Sequence, residues 1–216
     1  MTRDGGPRRR LANNGATVHT TRYGQTAVDP DAYEFLTPRY GRIETLAQLN
    51  EAEAQNIGKA LAWLERQTFD PAGLLSQATL RRIHATMFAD VWTWAGTYRN
   101  RETNIGVDPA EIPGQLEVVL GNALWQVDNA SMGQLEIGAR LHRSLTAIHA
   151  FPNGNGRHAR IFTEQFARSV GLPADTFTWG FKTYTDPATA RSEYLNALRH
   201  ADMTDDHGPL IRIATA

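Results

Sequence analysis

The chain is 216 residues long and carries 22 basic and 23 acidic residues, for a net charge of −1, so it has one domain's worth of sequence and no overall electrostatic pull on nucleic acid. It has no cysteine, which excludes a disulfide scaffold, a thiolate zinc site, an iron–sulfur cluster and a cysteine nucleophile. No apolar run approaches the roughly 18 residues of a membrane helix, and the basic opening MTRDGGPRRRLANNGATVHTT lacks the apolar stretch of a secretory signal. The cytoplasm is the expected compartment, with no membrane partner.

Residues 1–30, rich in Gly, Arg, Asn and Thr, show no sustained period and read as a mobile arm. Arg8, Arg9 and Arg10 read as a solvated tail, with contact to an anionic partner as the alternative. The stretch YEFLTPRY (33–40) carries aromatic surface suited to docking on a core, and Pro38 forbids a helix through it. Thr45 and Gln48 form a capping-box pair, followed by Leu46, Leu49, Ile57, Leu61 and Leu64 at near-helical spacing to about Gln67. Asp70-Pro71-Ala72-Gly73 breaks the chain.

A second helix starts near Ser76, with Leu80, Ile83 and Met87 on one face, and runs into the aromatic cluster Phe88, Trp92, Trp94 and Tyr98. Thr97 to Val107 holds β-favouring residues and fits a short hairpin. Pro109 and Pro113 flank the start of a third helix striped by Leu116, Val119, Leu120, Ala123, Leu124 and Val127. A fourth runs from about Met132 to Ile148 and stops at His149, ahead of Pro152 and two glycines. A fifth carries Ala159, Phe162, Phe166 and Val170 and is stopped by Gly171 and Pro173; a last spans about Pro187 to Arg199. The expected fold class is all-α, a helical bundle with one small β-hairpin, occupying residues 31–216.

The chemistry concentrates in HAFPNGNGRHAR, residues 149–160. Gly154 and Gly156 let the backbone turn successive N–H groups toward one point, an anion-binding nest. The following helix adds its unpaired N–H groups and the positive end of its dipole, the usual components of a phosphate site. Arg157 and Arg160, three apart, reach one side of that first turn. Two guanidinium forks beside a nest imply more than one phosphate group. His149 ends the preceding helix and is the side chain suited to taking a proton from a hydroxyl near neutral pH. Taken singly, each feature also has an ordinary structural role: a Gly-Asn-Gly turn, an asparagine cap, an Arg160–Glu164 pair on an exposed face. The conjunction within twelve residues points to phosphoryl or nucleotidyl transfer. His84 and His142 lack metal-ligand spacing and read as core or surface histidines, and Trp92 and Trp94 read as core.

The segment resembles the Fic family signature His-x-Phe-x-(Asp/Glu)-Gly-Asn-Gly-Arg-x-x-Arg, matched at His149, Phe151, Gly154, Asn155, Gly156, Arg157 and Arg160. Upstream, Trp94-Ala95-Gly96-Thr97-Tyr98-Arg99 resembles the stretch leading into the family's flap hairpin, and Thr103-Asn104-Ile105-Gly106-Val107 stands where the flap would be. The similarity runs from about Leu46 to Gly171, and IGVDPAEIP with HAFPNGNGRHAR is further similar to the mobile mystery protein B subgroup.

This resemblance implies transfer of AMP from ATP to a Ser, Thr or Tyr hydroxyl of a target protein. It implies His149 as general base, Gly154, Asn155 and Gly156 around the α- and β-phosphates, Arg157 on the phosphates, Arg160 on the γ-phosphate and Phe151 as the loop's anchor. It makes Thr103, Asn104, Ile105 and Gly106 a flap that pairs with an extended target segment. Ala150 replaces a frequent proline, and Asn153 stands where the family's acidic Mg²⁺ ligand would be; an amide oxygen still binds a hard cation, without the carboxylate's charge. Thr189 to Glu193 has the Thr-x-x-x-Glu spacing of the family's inhibitory helix, but Tyr194 follows in place of Gly or Asn. An ordinary helix face is therefore expected there, and the resemblance then implies a separate antitoxin as inhibitor. Two alternatives stay open: a Doc-like kinase moving the γ-phosphate, whose loop would lack the Gly-Asn-Gly glycines, and a catalytically impaired module that binds nucleotide or a partner chain.

Overall fold

The computed structural model describes residues 35–37, 43, 45–180 and 183–216. The expected N-terminal arm lies outside the described residues, as does most of the 33–40 stretch.

Helix α1 spans Leu46–Leu64. Its capping box is formed in both directions, Gln48 N–H to Thr45 Oγ1 at 3.2 Å and Thr45 N–H to Gln48 Oε1 at 3.1 Å, an end worth about 1 kcal/mol over an uncapped one. The Asp70 break contains its own helical turn, α2 (Pro71–Leu74), because the Asp70 side chain caps Gly73 N–H at 2.7 Å and Pro71 supplies a preset φ. Helix α3 (Gln77–Phe88) is capped by Ser76. After a 3₁₀ turn at Pro109–Glu111 come α4 (Ile112–Asp128), α5 (Gln134–Ile148) and α6 (Asn155–Ser169). The last helix continues past Arg199, as α7 (Pro187–Thr204), and a short α8 (Gly208–Ala214), not anticipated from the periodicity, closes the chain.

Helix α5 is central, packing on α4, α6, α7 and α8, while α1 lies along α3. The main core joins α1, α3, α4, α5 and α6 around Leu49, Leu80, Phe88, Ile112, Leu145, Phe151 and Phe162. A second cluster, with Phe177, Trp179, Tyr194, Leu210 and Ile213, seals the opposite side of α5 and α6. The one β contact among the described residues is an isolated antiparallel bridge between Leu36 and Trp92, by which the 35–37 segment docks on the turn after α3.

The hairpin expected over Thr97 to Val107 is not formed. The pairing capacity of this stretch goes elsewhere: Arg99 N–H donates to the Ala150 carbonyl at 2.9 Å and Val107 N–H to Ile148 at 3.4 Å. The Arg99 guanidinium takes carbonyls that a ladder would use, those of Val107 and, at 3.0 Å, Arg101. Backbone groups already paired to the end of α5 cannot also pair with each other.

Candidate active site at the α5–α6 junction

Helix α5 stops because His149 adopts the left-handed conformation, φ 53° and ψ 56°, as its C-cap, an unusual state for a residue with a Cβ. Three features over-determine it. Arg99 Nε donates to the His149 carbonyl at 2.7 Å, and a second nitrogen of the fork reaches Ile148 O at 3.4 Å. Gly106, at φ 115°, lies so close that a Cβ there would stand 2.9 Å from His149 Cβ and 2.6 Å from Arg99 Nη2.

The His149 side chain is buried, and its pKa is pushed down to about 4 by that burial first and by the Arg99 cation second, against an opposing hydrogen bond to the Thr146 carbonyl. The ring is therefore neutral at pH 7. Since one nitrogen donates to Thr146, the other carries the lone pair.

The loop beyond is folded by its own side chains. Phe151 is buried and stacks on His84 with ring centroids 3.7 Å apart. Asn155 Oδ1 accepts from Phe151 N–H at 2.8 Å and its Nδ2 donates to Phe151 O at 2.7 Å. That side chain is thus a staple, leaving the backbone N–H as the group Asn155 can offer a phosphate. Gly154 is the N-cap of α6 at φ 79°, and a Cβ there would fall 2.5 Å from Phe88 Cζ, so no other residue fits the close approach. Its N–H is taken by Asn153 Oδ1 at 2.7 Å. The N–H groups of Asn155, Gly156 and Arg157 belong to the first turn of α6, which has no side-chain cap, so they lack helical acceptors and are the amides that an anion could take up.

The two arginines differ. Arg157 donates to Glu53 Oε2 at 2.7 Å and lies over the Phe88 ring at 5.0 Å. Glu53, from α1, is 3% exposed and also accepts from Trp92 Nε1 at 2.7 Å. Arg160, half-buried, lies over the Tyr194 ring at 5.7 Å, and burial lowers its pKa. Tyr194 in turn meets His142 Nε2 at 2.7 Å. Glu164 bonds Trp179 Nε1 at 2.8 Å, so it is drawn into the fold and is not the exposed partner that its spacing from Arg160 suggests.

His149, Asn153 to Arg157 and Arg160 thus lie on two helix ends and one loop, with Gly106 packed against His149; Thr103, Asn104 and Ile105 are exposed or half-exposed beyond it. Among the described residues no group of three His, Asp or Glu side chains could hold a metal. Asn153 Oδ1, already bonded to Gly154 N–H, fits Mg²⁺ only as a single neutral ligand completing a shell of phosphate oxygens and waters. Three supporting residues were not assigned from sequence. Glu53 sits on the buried face of α1 with Leu49, Asn56 and Ala60, and a carboxylate on an apolar face is a signal that a partner waits inside. His84 and Arg99 give no comparable signal, because their hydrogen-bond partners are backbone groups, present at every position of the chain.

The Fic/DOC family profile matches residues 74–167. Among solved structures, BepC from Bartonella tribocorum with bound AMPPNP aligns with a TM-score of 0.61 at 17% identity, covering 80% of this chain and 87% of that one. The N-terminal Fic domain of a VirB-translocated Bep effector from Bartonella quintana aligns with a TM-score of 0.63 at 18% identity, over 81% and 84%. Fic-1 from C. elegans aligns with a TM-score of 0.57 at 23% identity, covering 79% of this chain and 48% of that one. This chain therefore spans about half the length of that Fic-1 protein. No curated protein matches it. Family profile and shared helical fold agree on the segment that holds the His149 loop: residues 74–167 resemble the Fic/DOC family, and the chain has the fold of these Fic domains.

Proposed function

We propose that the chain is a protein adenylyltransferase, moving AMP from ATP to a Ser, Thr or Tyr hydroxyl of a target protein. The observation that supports this is the placement of a neutral, buried His149 at the end of α5, one short loop from the amide cradle that opens α6. In the proposed step the His149 lone pair takes the hydroxyl proton. The hydroxyl oxygen bonds to the α-phosphorus, and the bond from that phosphorus to the β-bridging oxygen breaks, releasing pyrophosphate. The N–H groups of Asn155, Gly156 and Arg157 hold the α- and β-phosphates, Arg157 adds positive charge from its Glu53-anchored position, and Arg160 takes the γ-phosphate. Asn153 would be the protein's ligand for a Mg²⁺ ion bound with the triphosphate, which would supply charge neutralisation there.

Residues 103–106 receive the target as an extended segment; no strand ladder occupies their backbone N–H groups, and the Ile105 carbonyl accepts from Thr103 Oγ1 at 2.5 Å. Regulation falls to a separate antitoxin, in keeping with a toxin role: Glu193 is exposed, and the α7 residue facing Arg160 is Tyr194. The test is incubation with cell extract and ATP labelled at the α- or the γ-phosphate. Label retained on protein from the α position alone, and lost in His149→Ala, is the expected result. Label from γ alone means a kinase, and ATP binding without transfer means a binding module; either outcome overturns AMP transfer.

A further inference from the structure

One fully buried group next to the loop has no part in the proposed chemistry. The His84 ring, on α3, is 0% exposed and bonded at both nitrogens. Gly96 N–H donates to Nδ1 at 3.0 Å. An amide N–H can only donate, so Nδ1 must be the acceptor and the proton must sit on Nε2. Nε2–H then donates to the Asn153 carbonyl at 3.1 Å. The Asn153 carbonyl belongs to the peptide whose N–H, on Gly154, is held by the Asn153 side chain. One face of the ring lies on Phe151, the residue stapled by Asn155. At the far end, the Gly96 carbonyl accepts from Arg81 Nε at 2.8 Å. A polar chain therefore runs from the α3 surface through the Gly96 turn and His84 to the bend that precedes the amide cradle.

We propose that His84, locked as the Nε2–H tautomer between Gly96 and Asn153, is a positioning residue that sets the Asn153–Gly154 peptide and so aims the α6 amides at the nucleotide. The proposal rests on the nucleotide-binding function set out above. Without the bond to His84, the Asn153–Gly154 peptide is held from one side alone, by its own side chain. Rotation of that peptide tilts the first turn of α6, where phosphate contacts depend on direction.

Two variants separate the bonds. His84→Asn places an amide oxygen near Nδ1 and keeps the Gly96 bond alone; His84→Gln places an amide N–H near Nε2 and keeps the Asn153 bond alone. Calorimetry with AMPPNP and Mg²⁺, alongside melting temperature, reads both. The expected result is His84→Gln within about threefold of the wild-type affinity and His84→Asn about tenfold weaker, the worth of one buried hydrogen bond, although both variants lose melting temperature. Equal affinities, or a tighter His84→Asn, overturn the proposal and leave His84 a core residue. If neither variant folds, long-range ¹H–¹⁵N correlation of the wild-type ring decides. An Nε2–H signal that shifts on AMPPNP addition supports the proposal, whereas an Nδ1–H tautomer, or a signal indifferent to AMPPNP, overturns it. These measurements read binding and not turnover, so absent α-label transfer overturns AMP transfer and leaves them intact.

Discussion

Arg99 and His149 are joined backward: the guanidinium of one holds the carbonyl of the other, at 2.7 Å, while its charge bears on the imidazole. The same fork takes Val107 and Ile148 carbonyls, so a single side chain ties the 99–107 stretch to the end of α5 and holds the left-handed turn that carries the proposed base. Removing it leaves buried carbonyls without donors, at about 1–3 kcal/mol for each that water cannot reach. Arg99→Met is expected to lower the urea midpoint by the equivalent of several kcal/mol. In the fraction that stays folded it should raise the His149 pKa from about 4 toward the ordinary 6.5, because a neighbouring cation is gone. An NMR titration checks the shift; an unchanged His149 pKa would show that burial alone depresses it.

Much of this architecture is legible in the residues. The halt of α5 is announced by Pro152 and the glycines beyond it, although the left-handed turn at His149 is held by Arg99 and Gly106 from afar. The Thr45 and Ser76 caps and the proline-flanked start of α4 follow from local rules, because each involves groups within four positions of one another. The cradle is legible for the same reason: its glycines, helix start and arginines are contiguous. What escapes is set by distance along the chain. Glu53 and Arg157 are separated by 104 positions, His84 and Asn153 by 69, Arg99 and His149 by 50, and no period reports a meeting between them. The hairpin fails by the same logic, since β-favouring residues at 97–107 describe an extended backbone but not which partner it pairs with.

The two glycines of the loop are expected to behave oppositely. An alanine at Gly154 puts a methyl 2.5 Å from the buried Phe88 ring at a φ of 79°, so Gly154→Ala combines left-handed strain of about 1–2 kcal/mol with displacement of a core aromatic. A loss of several kcal/mol follows. At Gly156 a Cβ meets nothing within 4 Å and sits in the first turn of α6. Gly156→Ala is expected to keep or raise the melting temperature, by up to about 1 kcal/mol of helix propensity. It should at the same time weaken AMPPNP binding, because the methyl enters the space where phosphate would lie. Thermal melts and calorimetry on the pair check both signs.

Asn153→Asp exchanges one oxygen acceptor for another. The Gly154 N–H bond at 2.7 Å survives, and the new charge sits at the positive end of α6, worth about 0.3–1 kcal/mol. Stability is expected to hold or rise slightly near pH 7. If Asn153 is the protein's ligand for Mg²⁺, the variant reaches half-maximal transfer at lower Mg²⁺ than wild type. The same requirement in both proteins would show that the phosphates and other groups hold the ion.

Acid is expected to unfold the chain through its histidines. His149 and His158 are pushed down to about 4 and His142 to about 3, each by burial first, and His84 well below 6.5 by burial and then by His158. In the unfolded chain these rings titrate near 6.5. Between pH 6.5 and about 4 the unfolded chain thus binds protons that the folded one refuses, so stability rises with pH there and is lost as pH falls. Each fully refused proton contributes a slope of about 1.4 kcal/mol per pH unit. Above pH 6.5 these rings are neutral in both states and contribute no slope. The check is a series of urea unfolding curves from pH 8 to pH 4, with His158→Asn as the comparison: removing one ring should flatten the acid limb by close to one proton. A limb of unchanged steepness would mean that the His158 pKa is not depressed in the folded chain.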